Sequence, residues 1–480
     1  MTRLRSLFEK YGLWPIMALA ALLRFSNLAK RDFWYDEAFT GIVVRSGWSE
    51  MFKELINDIH PPFYYILVKL FGRFFNYNVF GLRLFSVVFG LLAVWLVYLL
   101  AKEIFDRETG LWSALIAAIA PIAIQYSQEA RMYSLLVCLF LTATLFFLKG
   151  LETGSKKYFL IWGIFLGLAA LTHYMAIIMS PIFLIILALK FFSSPEKKKI
   201  IKGVLYGCGA AFLVFLPWLN NFNFQLNNLK EKELTWVTPA KISDIFLNIQ
   251  MFLFGTPLGE MSQGVPQPNV MFFALPTTVL LAVVILISLI TVAVVKKRGL
   301  NGLLAAVFSF GSLLIVYGLS LAGKQYFVSR YLLPAGFFFF ILIGAWLSQT
   351  KQKTAISCFL AYLLILNFGI NYSTYSTGWN KIAEKKYADH DIYVLNSFDY
   401  VIAKYYLGDE KLFLYNIDWP QYNPQNWAGI GKNIKRIEDY QIIKKDSNAL
   451  IFSNGEISKI NSAEISIAQK YDNILVYKFR

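Results

Sequence analysis

The sequence predicts a mainly helical, polytopic membrane protein with one small α/β domain at its C-terminal end. Three observations predict it. The 480 residues are 57% hydrophobic and 17% aromatic, with a mean hydropathy of +0.51, where soluble domains are roughly half apolar. Runs such as "VFSFGSLLIVYGLSLAG" and "VMFFALPTTVLLAVVILISLITVAVV" approach or exceed the ~20 residues that carry a helix across ~30 Å of hydrocarbon, where a helix satisfies its own backbone. Past Tyr372 such runs stop, and the short β-rich pieces "DIYVLN", "KLFLYN", "ALIFS" and "ILVYKFR" alternate with polar or helical-looking segments. The chain thus divides into a transmembrane module, residues 1–371, and an α/β domain, residues 372–480.

The elements follow in order. "MTRLRSLFEK" resembles the basic start of a signal peptide, yet no small-residue cleavage site follows the first apolar run, so that run reads as a retained signal anchor. Placing Arg3, Arg5 and Lys10 in the cytoplasm puts the first outer loop, residues 29–82, outside. Within it, "HPPFYYILVKLFGRFF" opens on two prolines, is apolar for too few residues to span, and carries Lys69 and Arg73; it reads as interfacial or re-entrant. About eleven spans result, at 14–28, 83–105, 110–126, 131–150, 158–172, 175–192, 203–220, 270–295, 300–322, 331–349 and 354–371, with a large outer loop at 221–269 that holds a further apolar stretch, "IFLNIQMFLFG". The loops this makes cytoplasmic, "KEIFDRETG", "GLETGSKK", "SSPEKKKIIK", "VKKRG" and "QTKQK", hold most of the basic residues between spans. Ser155, Lys197 and Lys297 then lie inside; Ser46 and the C-terminal domain lie outside.

The formal charge of +16 is therefore a topology signal rather than a nucleic-acid surface, because the Lys and Arg sit in short clusters between apolar runs. Cys138, Cys208 and Cys358 lie far apart in apolar segments and read as packing residues. A divalent metal is left open, with no His/Asp ligand spacing standing out.

Five polar features remain that apolar surroundings do not explain, and all fall on the outer side. They are Asp36 and Glu37 in "RDFWYDEAFTG"; His60 in "HPP"; Gln128, Glu129 and Arg131 in "YSQEARMY", which closes on Tyr133; His173 in "LTHYM"; and Arg330 in "VSRYLLPA". Ionisable groups at the hydrocarbon boundary are costly and so mark function. Each also has a plain alternative. Asp36 and Glu37 would serve as solvated loop acids capping the amphipathic segment that follows, His60 as a turn residue, Glu129 and Arg131 as an interfacial ion pair, His173 as a structural residue, and Arg330 as a helix start or headgroup contact. The functional reading joins them. A lipid-linked sugar presents its phosphate at this depth, where cations stabilise the leaving phosphate and a carboxylate takes the acceptor's proton.

At these residues the sequence resembles a family, the polyprenyl-phosphate-sugar-dependent membrane glycosyltransferases of the GT-C class, which include protein O-mannosyltransferases and the aminoarabinose transferase acting on lipid A. Order and spacing carry the resemblance: Arg24, then "WYDEAFT", "HPPFYYILVKLFG", "GLRLFSVVFG", "APIAIQYSQEARMYSLLV" and "LTHYMA". It implies a GT-C fold, Asp36 as general base, Glu129 as a second outer-loop acid of the catalytic site, and His60 and Arg131 at the donor phosphate. Glu37, Tyr133, His173 and Arg330 complete the expected substrate-binding set, Arg330 mainly by its side of the membrane. The implied reaction transfers one sugar, mannose-like or a related hexose or pentose, with inversion, at the outer face of the cytoplasmic (inner) membrane. The chain lacks the long central β-rich insert of eukaryotic protein O-mannosyltransferases, a departure that counts against a protein acceptor; the acceptor stays open among glycan, lipid and protein.

Two other classes compete. A transporter or flippase of lipid-linked glycans would place ionisable residues near span midpoints and break paired helices with Gly or Pro. A non-catalytic scaffold would be indifferent to loss of Asp36.

Overall fold

The computed structural model describes residues 11–191, 196–231, 240–254, 277–322, 327–350 and 361, and, in the C-terminal region, 378–384, 387, 389–395, 397–408, 410–415, 435–437, 440–446, 448–453, 465–471 and 474–479. The expected span at 354–371 and part of that at 270–295 lie outside these residues.

Helix Leu13–Phe25 opens the bundle, and the outer-loop helices Tyr35–Arg45, Trp48–Asn57 and Phe63–Gly72 follow. The last, ten residues long, is too short to span. Long helices come next at Val79–Ile104, Tyr133–Thr153, Lys156–Ala170, Lys197–Phe215 and Leu333–Leu347, and the stretch Thr277–Ala306 is two helices joined at a kink at Gly299, where the backbone is not helical. By length and apolarity five helical stretches qualify as membrane spans among the described residues, or six if one bent pair counts as a single span, with shorter apolar helices at Leu13–Phe25, Met175–Phe191 and Ile242–Leu253. The protein is a multi-pass membrane protein.

The bent pair corrects the expectation of one unbroken span at 110–126. Helices Arg107–Ile119 and Pro121–Ser127 meet at 62°. Pro121 has no N–H, so the Ala117 carbonyl one turn back loses its helical donor. Arg24 supplies the replacement from the first helix: its Nη2 donates to Ala117 O at 3.0 Å, Nη1 to Ala118 O at 2.9 Å and Nε to Ser127 Oγ at 3.1 Å. A buried cation thus seals a proline break. The expected span at 175–192 corresponds to the short apolar helix Met175–Phe191, with a joint before Pro181 between Met175–Met179 and Pro181–Phe191. Elsewhere helices 156–170 and 197–215 pack backbone to backbone, for a Cβ on Gly163 would overlap the Gly207 carbonyl.

The C-terminal region forms one six-stranded sheet of β1 (Asp391–Val394), β2 (Leu412–Tyr415), β3 (Lys435–Ile437), β4 (Ala449–Ser453), β5 (Ile465–Tyr471) and β6 (Ile474–Phe479), in the order β3-β2-β1-β4-β6-β5. The first four positions are mutually parallel; β6 runs antiparallel to β4, and β5 to β6. Alternation divides its side chains between two faces. Ile392, Val394, Leu412, Leu414, Leu450 and Phe452 join the core shared with the helical module, whereas Tyr393, Ile451 and Tyr477 build a separate small cluster.

Candidate active site

The two adjacent carboxylates of the first outer loop have different surroundings. Both open helix Tyr35–Arg45, where the helix dipole favours acids. Glu37 points inward and is 1% exposed. Its Oε2 accepts from Arg83 Nη2 at 2.7 Å, and its Oε1 accepts from Arg83 Nε at 2.7 Å and from the Ala130 amide at 2.8 Å. Arg83 spends its remaining donors on the carbonyls of Leu28, Arg31 and Asp32 at 2.7–2.9 Å. Every donor and acceptor of this pair is engaged, so Glu37, expected among the substrate-binding residues, is placed as a clamp between helix Val79–Ile104 and the loop that precedes Asp36.

Asp36 is more open, at 21%. Its Oδ2 lies 3.8 Å from Arg131 Nε and 4.0 Å from Arg330 Nη1, ion-pair contact without hydrogen-bond closeness. Arg131 comes from the loop between helices 121–127 and 133–153, and Arg330 from the short turn Ser329–Leu332 that precedes helix Leu333–Leu347. Two arginines distant in sequence therefore converge on one carboxylate. Arg131 Nη1 also reaches Asp36 O, Thr40 Oγ1 and Tyr65 Oη at 3.3–3.4 Å, while its buried Nε has no hydrogen-bond partner among the described residues.

His60 sits beside Arg131, and its tautomer follows from its neighbours. Arginine carries donors alone, so His60 Nε2, 3.3 Å from Arg131 Nη2, must accept. The ring proton is then on Nδ1, which donates to Asp58 Oδ2 at 2.8 Å. Burial alone would raise the Asp58 carboxyl, but the His60 ring and its hydrogen bond outweigh that and bring it below the ordinary value. His173 closes the other side, its ring centroid 5.8 Å from His60, 4.9 Å from Tyr331 and 6.2 Å from Tyr133. Its Nδ1 accepts from the Met175 amide at 3.2 Å, so Nε2 carries the proton, buried and without a partner among the described residues. Burial first, then His60, Arg131 and Arg330, holds its pKa well below the usual histidine range. The ring is a neutral N–H donor.

Glu129 occupies the same loop as Arg131. Its Oε1 accepts from Gln125 Nε2 at 3.3 Å, and its Oε2 is buried with no partner among the described residues. Burial, followed by the Glu37 carboxylate, pushes it up to about 7. Gln128 stays structural, its amide donating to the carbonyls of Leu23, Arg24 and Ser26 at the end of the first helix.

Of the residues singled out in the sequence, Asp36, His60, Arg131, Tyr133, His173 and Arg330 form one cluster, Glu129 adjoins Arg131 in the chain, and Glu37 stands behind. Arg83 and Asp58 were not singled out. A charged residue early in an apolar span was the available signal for Arg83; for Asp58 it was an acid two residues before "HPP". No three His, Cys, Asp or Glu side chains converge as a metal-ligand group among the described residues. The site's chemistry is that of an anion cradle, one buried and one partly buried guanidinium and a neutral imidazole N–H, with one carboxylate at its edge.

Comparison with known proteins bears on the family and the fold. Residues 59–220, which include His60, Glu129, Arg131, Tyr133 and His173, match the family model of dolichyl-phosphate-mannose-protein mannosyltransferase. No curated protein is significantly similar in sequence. Among solved structures, ArnT from Cupriavidus metallidurans in the apo state aligns with 97% of this chain and 97% of its own at a TM-score of 0.67 and 12% identity. The chain has a GT-C glycosyltransferase fold. The same ArnT bound to undecaprenyl phosphate aligns over the same shares at a TM-score of 0.63 and 12% identity. The Archaeoglobus fulgidus oligosaccharyltransferase tethered with an acceptor peptide aligns with 94% of this chain and 70% of its own at 0.55 and 15% identity. The GT-C resemblance carried by motifs between Arg24 and Ala176 thus extends, as a fold, to almost the whole chain.

Proposed function

We propose that this GT-C protein moves a single sugar from a polyprenyl-phosphate-linked donor to an acceptor on the outer face of the cytoplasmic membrane, inverting the anomeric carbon, with Asp36 as general base. The observation that carries the reading is one carboxylate at the edge of a cradle of two arginines, Arg131 buried and Arg330 partly buried, beside a second carboxylate that is structurally consumed. Asp36 takes the acceptor hydroxyl's proton as its oxygen attacks the anomeric carbon; the sugar's bond to the phosphate oxygen breaks, and the pair of electrons goes to the phosphate. Arg131 and Arg330 hold that growing charge, preorganised by burial. Asp58 fixes the tautomer of His60, which in turn steers Arg131; His173 offers its N–H, and Tyr133 with Tyr331 forms an aromatic wall. Glu129 orients the sugar or the acceptor. Glycan, lipid and protein acceptors all present the hydroxyl this chemistry requires.

Transport is less well supported. Buried Arg24 and Arg83 are committed to backbone carbonyls and to Glu37, which leaves them structural duties rather than a path for cargo. The deciding experiment supplies purified protein in liposomes with polyprenyl-phosphate sugar or nucleotide sugar and follows the acceptor by mass spectrometry. Transfer from the lipid donor alone is expected. Transfer from a nucleotide sugar in membranes stripped of polyprenyl phosphate would overturn the reading.

A further inference from the structure

The catalytic reading leaves the C-terminal domain without a role, yet that domain grips the Asp36 helix on both sides of its carboxylate. Ahead of Asp36, the Asp32 Oδ2 accepts from the backbone amides of Gly378 and Trp379 at 2.8 and 3.0 Å, and the Phe33 amide donates to Tyr406 Oη at 2.9 Å. Behind it, the ring of Tyr405 lies flush on Gly41, so near that any Cβ there would overlap the ring edge. Arg45 stacks over the same ring, 4.0 Å from its centroid, and donates from Nη1 to Tyr405 O at 2.9 Å. Tyr405 Oη donates to Tyr77 O at 3.0 Å, and its ring meets Phe33 at 4.7 Å, so it has little room to yield.

The bundle holds the opposite face of this helix. Glu37 is clamped to Arg83, and Lys69 donates to the carbonyls of Val44 and Ser46 at the helix end. Among the described residues the Asp36 carboxylate has no such anchor: its arginine neighbours stand at 3.8 and 4.0 Å. Where the carboxylate sits is therefore decided by what holds the helix.

We propose that the C-terminal domain is a positioning element for catalysis, in which Asp32, Gly41, Tyr405 and Tyr406 set the helix that aims Asp36 into the arginine cradle. These are positioning residues; none touches the reacting atoms. The inference rests on the catalytic reading for its kinetic consequence but not for its structural one, and the test reads the two separately.

The test uses the full chain in lipid nanodiscs, with Asp32→Ala, Asp32→Asn, Gly41→Ala, Tyr405→Ala and the double variant Gly41→Ala/Tyr405→Ala. Hydrogen exchange by mass spectrometry follows residues 35–45, with residues 133–153 as the internal measure of intact folding. Both Asp32→Ala and Gly41→Ala should speed exchange at 35–45 and leave 133–153 unchanged. Turnover at saturating polyprenyl-phosphate sugar should fall by between about tenfold and a hundredfold, the scale of an ångström-level misplacement of a catalytic group, while donor KM stays near wild type. Asp32→Asn keeps an acceptor oxygen and should restore both readouts. The double variant should be no slower than Tyr405→Ala, because the two lesions share one contact. Unchanged exchange at 35–45 in both variants would overturn the proposal whatever the substrate, and so would a parallel loss of kcat and donor affinity. If wild type transfers no sugar, the catalytic reading fails and the exchange experiment still decides whether the domain holds the helix.

Discussion

Asp36 and Glu37 differ by one residue and one methylene, and their substitution by the corresponding amide should fail in different ways. Asp36→Asn keeps size and much of the hydrogen bonding but cannot take a proton, so turnover should drop by ~10²–10⁴-fold with donor binding intact; retention of more than about a tenth of wild-type turnover would remove Asp36 as base. Replacing Arg131 or Arg330 should instead weaken donor affinity, by about 1.5–3 kcal/mol each if a charge-assisted hydrogen bond is lost, read by lipid-phosphate binding. Glu37→Gln leaves Arg83 charged and unneutralised in a buried site, which costs about 3–5 kcal/mol and should appear as a lowered melting temperature rather than a selective loss of turnover. The sequence put Glu37 in the substrate-binding set; its partner, 46 residues away, was invisible to local pattern. Glu129 adds a pH test. Its carboxyl is raised from an ordinary 4.5 to about 7, so the folded state favours the protonated form, and the resulting stability, complete below 4.5, is lost as pH rises through 7. Glu129→Gln cannot ionise and should melt above wild type at pH 8 by a larger margin than at pH 5, as differential scanning fluorimetry would show.

Apolar runs made the long helices legible. The spans read at 83–105, 131–150, 158–172 and 331–349 correspond to helices Val79–Ile104, Tyr133–Thr153, Lys156–Ala170 and Leu333–Leu347, because lipid forces continuous helix wherever a run is long enough. Breaks were less legible. A proline inside an apolar run ends a helix only where something else takes up the freed carbonyl, and at Pro121 that partner is Arg24, 97 residues earlier. Four strands of the C-terminal sheet announce themselves by β-rich composition; β3, three residues reading "KRI", and β5, reading "ISIAQKY", do not. Both are edge strands, where polar side chains are the rule and composition carries little signal. The proline break yields its own prediction. Arg24→Met fills similar space but leaves the Ala117 and Ala118 carbonyls without donors, at about 1–3 kcal/mol each; the variant should melt lower, whereas Lys149→Met, which removes a half-exposed ion pair 3.9 Å from Glu103, should change stability by less than ~1 kcal/mol.

At the scale of the molecule, the site and the basic loops lie at opposite ends of the same helices. Arg83, which clamps Glu37, lies near the start of helix Val79–Ile104, and Glu103 in its last turn and Asp106 just past it mark the other end, where Lys149 pairs with Glu103 and Arg298 with Asp106 at 2.8 Å. From Arg83 to Glu103 the helix rises about 30 Å, the thickness of the hydrocarbon core. Charge in the sequence marks one end of these helices but not which residues gather at the other: nothing local in "VSRYLLPA" indicates that Arg330 meets Asp36 almost three hundred residues away. Since basic loops stay in the cytoplasm, Lys197 and Lys297, both exposed, should be cytoplasmic, and exposed Ser49, in the first turn of outer-loop helix Trp48–Asn57, should face outward with the C-terminal sheet. Single cysteines at these positions, in a background with Cys138, Cys208 and Cys358 replaced, report the arrangement to a membrane-impermeant maleimide. Intact cells should label position 49 and an exposed sheet residue such as Ile467, and should label 197 and 297 only after permeabilisation. Labelling of 297 with protection of 49 would invert the protein, place Asp36 among cytoplasmic nucleotide sugars, and remove the physical reason for a lipid-linked donor.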